Sequence, residues 1–158
     1  KFLSMITREI RNHEILCKKY DLKPVIRLNT TSDIMWENHK IMELFPKTQF
    51  YDYSKHFKRM LKYLKGDMPK NYHLTFSRNE ANDFQSTQVL KAGGNVAVVF
   101  RKELPETYKG FKVVSGDDHD LRFLDEANVV VGLKEKLSLN KATGKLDRDK
   151  SGFVVDLK

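Results

Sequence analysis

Thiols are almost missing from this chain: one cysteine, Cys17, stands alone among 158 residues. It excludes an internal disulfide and a multi-cysteine zinc site, and it suits a reducing cytoplasm better than secretion. Long hydrophobic runs are missing as well. The longest, 96–100 and 129–131, are of strand length, whereas a membrane-spanning helix needs about 20 apolar residues, so no membrane partner is expected. The first residues form an amphipathic pattern and not a basic stretch followed by an apolar signal. Neither a phosphate-cradling Walker loop nor a dinucleotide fingerprint occurs, since Gly93-Gly94 precedes a strand where those motifs follow one. No serine or cysteine stands in a recognisable relation to His119, which removes support for nucleophilic catalysis.

What is present is enough apolar residue, 40%, to build one core, and an excess of 29 Lys and Arg over 21 Asp and Glu, net +8. That charge favours a polyanionic partner without naming one. Apolar residues at three- and four-residue steps predict a helix over 2–20, and Pro24 separates it from a strand at 25–28. A helix carrying Met35, Ile41, Met42 and Phe45 ends at Pro46, and a second strand follows at 49–53. A third helix over 57–64 precedes a strand at 72–76, and a fourth over 80–92 precedes the most apolar strand, 95–100. Strands beginning near 25, 49, 72 and 95 are 23 to 24 residues apart, room for one helix and two short loops, as crossovers between parallel strands require. A single helical turn is expected over 104–108, strands at 111–114 and 129–133, a polar excursion over 134–152 and a last strand at 153–157. Residues 1–158 are therefore expected to form a single α/β domain with a mostly parallel sheet. The preferred form is an incomplete TIM-like β/α barrel, since a full one takes about 200 to 250 residues; an open doubly wound sheet is the alternative. The opening helix has no strand before it, which suits a fragment lacking an amino-terminal portion. An incomplete barrel leaves two sheet edges to be covered by loops or by a second copy, so a homo-oligomer belongs among the expected partners.

In either architecture ligands bind beyond the carboxyl ends of the parallel strands. The residues placed there are Arg27, Asn29, Ser32 and Asp33 after the first strand, and Asp52 and Lys55 at the end of the second. Ser77 and Arg78 follow the third, Arg101 the fourth, and Asp118, His119 and Asp120 the fifth. Arg27, Lys55, Arg78 and Arg101 suit a phosphate or carboxylate, although such residues more often cap helices and solvate loop tips. Asp118, His119 and Asp120 are the densest set of metal-ligand types, candidates for a divalent metal or for acid/base catalysis; closing a turn is the plainer role for them. Lys58, Arg59, Lys62 and Lys65 share one flank of the third helix and offer a nucleic-acid contact or a solvated face.

Three segments in order carry a resemblance: Arg27-Leu28-Asn29-Thr30-Thr31-Ser32-Asp33, Phe50-Tyr51-Asp52-Tyr53-Ser54-Lys55 and Tyr72-His73-Leu74-Thr75-Phe76-Ser77-Arg78. They resemble the strand ends of phage- and plasmid-encoded proteins of the gene product 88 type, over roughly residues 1 to 157. Some of those proteins look like distant relatives of radical S-adenosylmethionine barrels. That likeness implies a barrel-like fold and a bacterial host cytoplasm, but no iron–sulfur activity, because three thiolates are needed and Cys17 is one. Three functions compete: a mobile-element protein binding nucleic acid or another phosphorylated ligand at the strand-end rim; a metal-assisted hydrolase or lyase using residues 117–120; and a barrel fragment or interaction domain with no activity of its own.

Overall fold

Helix α1 (Phe2–Lys19) forms where Ile6, Ile10 and Cys17 recur on one face, and it packs through Ile6 and Ile10 on the main core. The computed structural model, which describes residues 1–139, 144 and 146–157, continues with β1 (Val25–Ile26) and a 3-10 turn at Trp36–His39. There follow α2 (Ile41–Leu44), β2 (Gln49–Ser54), α3 (Phe57–Leu64), β3 (Tyr72–Ser77), α4 (Asp83–Lys91) and β4 (Val96–Phe100). The remainder comprises β5 (Thr107–Tyr108), β6 (Phe111–Ser115), a 3-10 turn at Arg122–Leu124, β7 (Val130–Lys134), β8 (Ser138–Leu139), β9 (Leu146–Asp147) and β10 (Val154–Val155). Among the described residues no helix is long and apolar enough to cross a membrane.

Helices α3 and α4 both stop at a glycine with positive φ, Gly66 at 79° and Gly93 at 89°. In each, paired hydrogen bonds close the last turn, Asp67 N–H to the Lys62 carbonyl and Gly94 N–H to the Val89 carbonyl among them. Two expected elements differ. The helix through Met35 and Phe45 is broken in two, because Lys40 adopts a left-handed φ of 55° between the 3-10 turn and α2. Residues 104–108 are not a helical turn. Lys109 (φ 51°) and Gly110 (φ 84°) make the two-residue connection of a hairpin, and β5 pairs antiparallel with β6.

The main sheet has eight strands in the order β1-β2-β3-β4-β7-β6-β5, with β10 also on β4. All pairings except β5 with β6 are parallel, and the sheet does not close into a barrel. Alternate residues divide its two faces. Phe50, Leu74, Phe76, Val98 and Phe100 join Met42, Met60, Val89 and Leu90 of the helices in one core. On the other face Ala97, Val129 and Val131 pack with Tyr53, Val114 and Leu133. Strand β4 pairs with β3 only at Val96 and Ala97, while β10 takes Val99 and Phe100. The sheet therefore forks where β3 leaves β4, with β10 set into the fork, and a cleft lies at the widened carboxyl end.

Candidate functional site

A cleft of about 780 Å³ opens at the carboxyl ends of the parallel strands. Its first wall is the segment after β1, from Asn29 to Asp33, held by a buried polar network. Asn29, 2% exposed, accepts on Oδ1 from Ser32 Oγ (2.8 Å), Ile34 N–H (3.0 Å) and Trp36 Nε1 (3.0 Å). Its own N–H donates to Asp52 Oδ1 at 2.8 Å, and Tyr72 OH donates to Asp52 Oδ2 at 3.0 Å. Arg59 then ties this network to α3, donating to Glu37, Asp33 and Tyr72 OH. Asp33 also accepts from Ser54 Oγ and from the Lys55 N–H, both at 2.9 Å, so the wall and the end of β2 are one rigid unit.

The second wall is the connection from β6 to β7, which folds over the face of β2 and β3 opposite the main core. Asp120 fastens it by accepting from Arg27 Nη1 (2.8 Å), Tyr51 OH (3.1 Å) and Tyr53 OH (3.2 Å). Phe123 lies against Tyr51 with ring centres 5.7 Å apart. Beneath them Arg122 is fully buried, paired with Asp125 at 3.3 Å and donating to the His119 carbonyl. Gly116 leaves room for it, since a Cβ there would stand 2.9 Å from Arg122 Nη1 and 2.6 Å from Val131. Burial raises the Tyr53 phenol, and burial together with the Arg122 charge lowers His73 to about 4, so both are neutral at pH 7.

The rim predicted from the strand ends is thus assembled in part. Arg27, Asn29, Ser32, Asp33, Lys55, Ser77, Arg78, His119 and Asp120 line the cleft; Asp52, Arg101 and Asp118 do not. Arg78 is committed to structure, donating to Asp83 Oδ1 (3.0 Å) and to the carbonyls of Gly152 and Phe153 (both 2.8 Å), and so clamps the segment before β10. Arg101 likewise binds Glu135, the Asp149 carbonyl and Asp156, gathering the polar excursion. Lys58, Lys62 and Lys65 are exposed, but Arg59 is 3% exposed and faces inward, which removes it from the expected basic flank. Lys58 and Lys62 share a separate groove with Glu37, Glu43 and Asp67. Lys141 and Lys145 of the excursion lie outside the described residues.

Among the described residues no three His, Cys, Asp or Glu side chains come together to hold a metal ion. Asp118, His119 and Asp120 form no such group. Consecutive residues of an irregular connection point apart: Asp120 turns to Arg27 and the tyrosines, and His119 Nδ1 accepts from the Leu121 N–H at 3.2 Å. The contributions of Tyr51, Tyr53, Arg122 and Phe153 escaped the sequence reading. For the two tyrosines the period-2 alternation of β2, which puts both on the face opposite Phe50, was the available signal.

Burial pushes the Asp52 carboxyl from its ordinary 3.8 up to about 6, against the opposing effect of its bonds from Asn29 and Tyr72 and the charge of Arg59. A folded pKa above the unfolded one means that this carboxyl favours folding below about pH 4 and loses that contribution as pH rises through about 6. Two units correspond to roughly 3 kcal/mol. Urea titrations of the wild type and of Asp52→Asn should therefore show the wild type losing about that much, relative to the variant, between pH 4 and pH 7. A pH-independent difference contradicts the shift.

No curated protein and no solved structure matches the chain. The distant likeness to S-adenosylmethionine barrels is not shown by the comparisons. The family described as Gene product 88 matches residues 1–157, the full run of elements that builds both walls of the cleft, and the chain belongs to that family.

Proposed function

We propose that the protein binds a phosphorylated ligand in the cleft at the carboxyl ends of β1 to β4, with Lys55 and the 30–32 segment holding the phosphate. The observation that carries this reading is the uneven pairing of the cleft's cations. Arg27 and Arg78 are each committed to protein acceptors, whereas the two lysines of the lining, Lys55 and Lys136, are exposed and have no carboxylate partner among the described residues; Lys55, at the end of β2, has the Phe153 ring as its neighbour. Thr30 and Thr31 stand in the same wall, exposed, with hydroxyls that bond to nothing among the described residues. An ammonium and free hydroxyls lining one cleft, on a wall held rigid by Asp33, make a pre-organised anion site.

The reading favours a bounded ligand over a long nucleic-acid path. The flank of α3 does not extend the site: Arg59 is internal, and the groove that Lys58 and Lys62 line is shared with three acidic residues. A nucleic acid would then make few phosphate contacts, and its affinity would fall only gently with salt.

Titration calorimetry at low ionic strength with pyrophosphate, a sugar phosphate, a mononucleotide and a short single-stranded DNA tests the proposal. At least one phosphorylated probe should bind, and Lys55→Ala should weaken it by about 10- to 100-fold, the loss of one charge-assisted hydrogen bond. Since the Lys55 head is exposed, the variant should keep its thermal midpoint. Binding by none of the probes, or binding indifferent to Lys55→Ala, overturns it.

A further inference from the structure

We infer that the ligand is a nucleotide, its base lying on an apolar and aromatic floor while its phosphate meets Lys55; this rests on the phosphate reading of the same cleft. Part of the cleft lining is apolar. Ala97 and Val99 of β4 and Leu133 of β7 form a floor, and the Phe153 ring stands beside it. A pyrophosphate or a sugar phosphate leaves that surface wet, whereas a flat heteroaromatic group covers it.

Phe153 is held for such a contact. Its carbonyl accepts from Arg78 at 2.8 Å and its N–H donates to Ser151 Oγ at 3.2 Å. The next residue, Val154, pairs with Val99 in the sheet, so the backbone on both sides of the ring is fixed. Arg78 thus holds the backbone that carries the Phe153 ring. Lys55 Nζ lies 5.6 Å from the centre of the Phe153 ring, which puts the cationic end of the cleft next to its aromatic end. A phosphate and a ring joined by a sugar span such a junction.

The polar groups bordering the floor are of the kinds that read a base edge. Ser77 lines the cleft with a hydroxyl that can donate or accept. His119 lines the cleft with Nδ1 taken by the Leu121 N–H, which leaves Nε2 as its other polar atom. Asp117 accepts from the Lys134 N–H through one oxygen, at 2.9 Å, and keeps acceptor capacity on the carboxylate. Donor and acceptor types together, beside an apolar plane, fit a heterocycle and serve no purpose for pyrophosphate. The volume, about 780 Å³, lies within the range of cofactor-sized pockets.

The test compares four mononucleotides with ribose 5-phosphate and pyrophosphate by titration calorimetry, on the wild type, Phe153→Ala, Phe153→Leu and Lys55→Ala. At least one mononucleotide should bind 10-fold or more tightly than ribose 5-phosphate. Phe153→Ala should weaken that nucleotide by about 10-fold, the loss of one stacking contact, and leave pyrophosphate binding unchanged. Phe153→Leu, which keeps the wall filled, should show the same selective loss even if the alanine variant disturbs β10. Lys55→Ala should weaken nucleotide and pyrophosphate alike. Ribose 5-phosphate binding as tightly as every nucleotide, or equal losses for nucleotide and pyrophosphate in Phe153→Leu, overturns the nucleotide inference and leaves the phosphate reading standing. Absence of binding by all probes overturns both.

Discussion

Arg59→Ala should cost about 3–5 kcal/mol of folding stability, far beyond the loss of a surface arginine on a helix. The guanidinium is 1% exposed and bonds to four oxygens: both Glu37 carboxylate oxygens (2.8 and 2.7 Å), Asp33 Oδ1 (2.7 Å) and Tyr72 OH (2.6 Å). Removing it strands two carboxylates that are themselves largely covered, Glu37 at 12% and Asp33 at 26% exposed. Their uncompensated charge, more than the lost bonds, sets the size of the effect. Arg59→Lys should recover only part of it, because a point charge cannot serve planar acceptors on three sides. The damage should reach the cleft, since the same Asp33 holds the Lys55 N–H and Ser54 Oγ. Urea midpoints for both variants check the claim. An Arg59→Ala midpoint within about 0.5 kcal/mol of wild type, as surface substitutions give, would refute the network.

That arginine also shows where reading the chain by pattern reaches its limit. Strands β1 to β4, β6, β7 and β10 and the three longer helices were legible because apolar periodicity and glycine or proline stops are local signals: Gly66 and Gly93 end their helices through their own backbone angles. The parallel order β1 to β4 followed from a spacing of 23 to 24 residues, and the convergence of Arg27, Asn29, Lys55 and Ser77 on one cleft followed from that order. What was not legible depends on pairings across long separations. On a helical wheel Arg59 lies beside Lys58 and Lys62, and nothing local distinguishes it; its carboxylate partners are 22 and 26 residues upstream. Arg78 and Arg101 look like ligand cations until the residues that flank β10, Phe153 and Asp156, more than 50 residues later, accept from them. The hairpin at 109–110 was missed for the opposite reason. Its signal is a two-residue turn whose first member is lysine, a residue seldom placed at positive φ.

The second buried guanidinium should behave differently from the first, and the contrast separates a satisfied network from an unsatisfied one. Arg122→Ala should also destabilise, by about 3–5 kcal/mol, because it leaves Asp125, 4% exposed, buried without its counter-charge. Yet Arg122 and Asp125 are poorly served by their surroundings: Arg122 Nε and Nη1 and Asp125 Oδ2 are buried with no hydrogen-bond partner among the described residues. Burial accordingly raises the Asp125 carboxyl, against the opposing charge of Arg122. Replacing both by apolar residues of similar size removes two desolvated charges together, so Arg122→Met with Asp125→Leu should lie near wild type or up to about 4 kcal/mol above it. The same treatment of Arg59 and Glu37 should not recover stability, because Asp33 and Tyr72 OH lose partners that the apolar pair cannot replace. His73 supplies an independent readout. Its low pKa comes first from burial and second from the Arg122 charge, so an NMR titration should show the imidazole moving up from about 4 in the double variant. A double variant as unstable as Arg122→Ala, with His73 unmoved, would mean that the guanidinium stabilises the β6–β7 connection by packing and by its bond to the His119 carbonyl, with its charge playing no part.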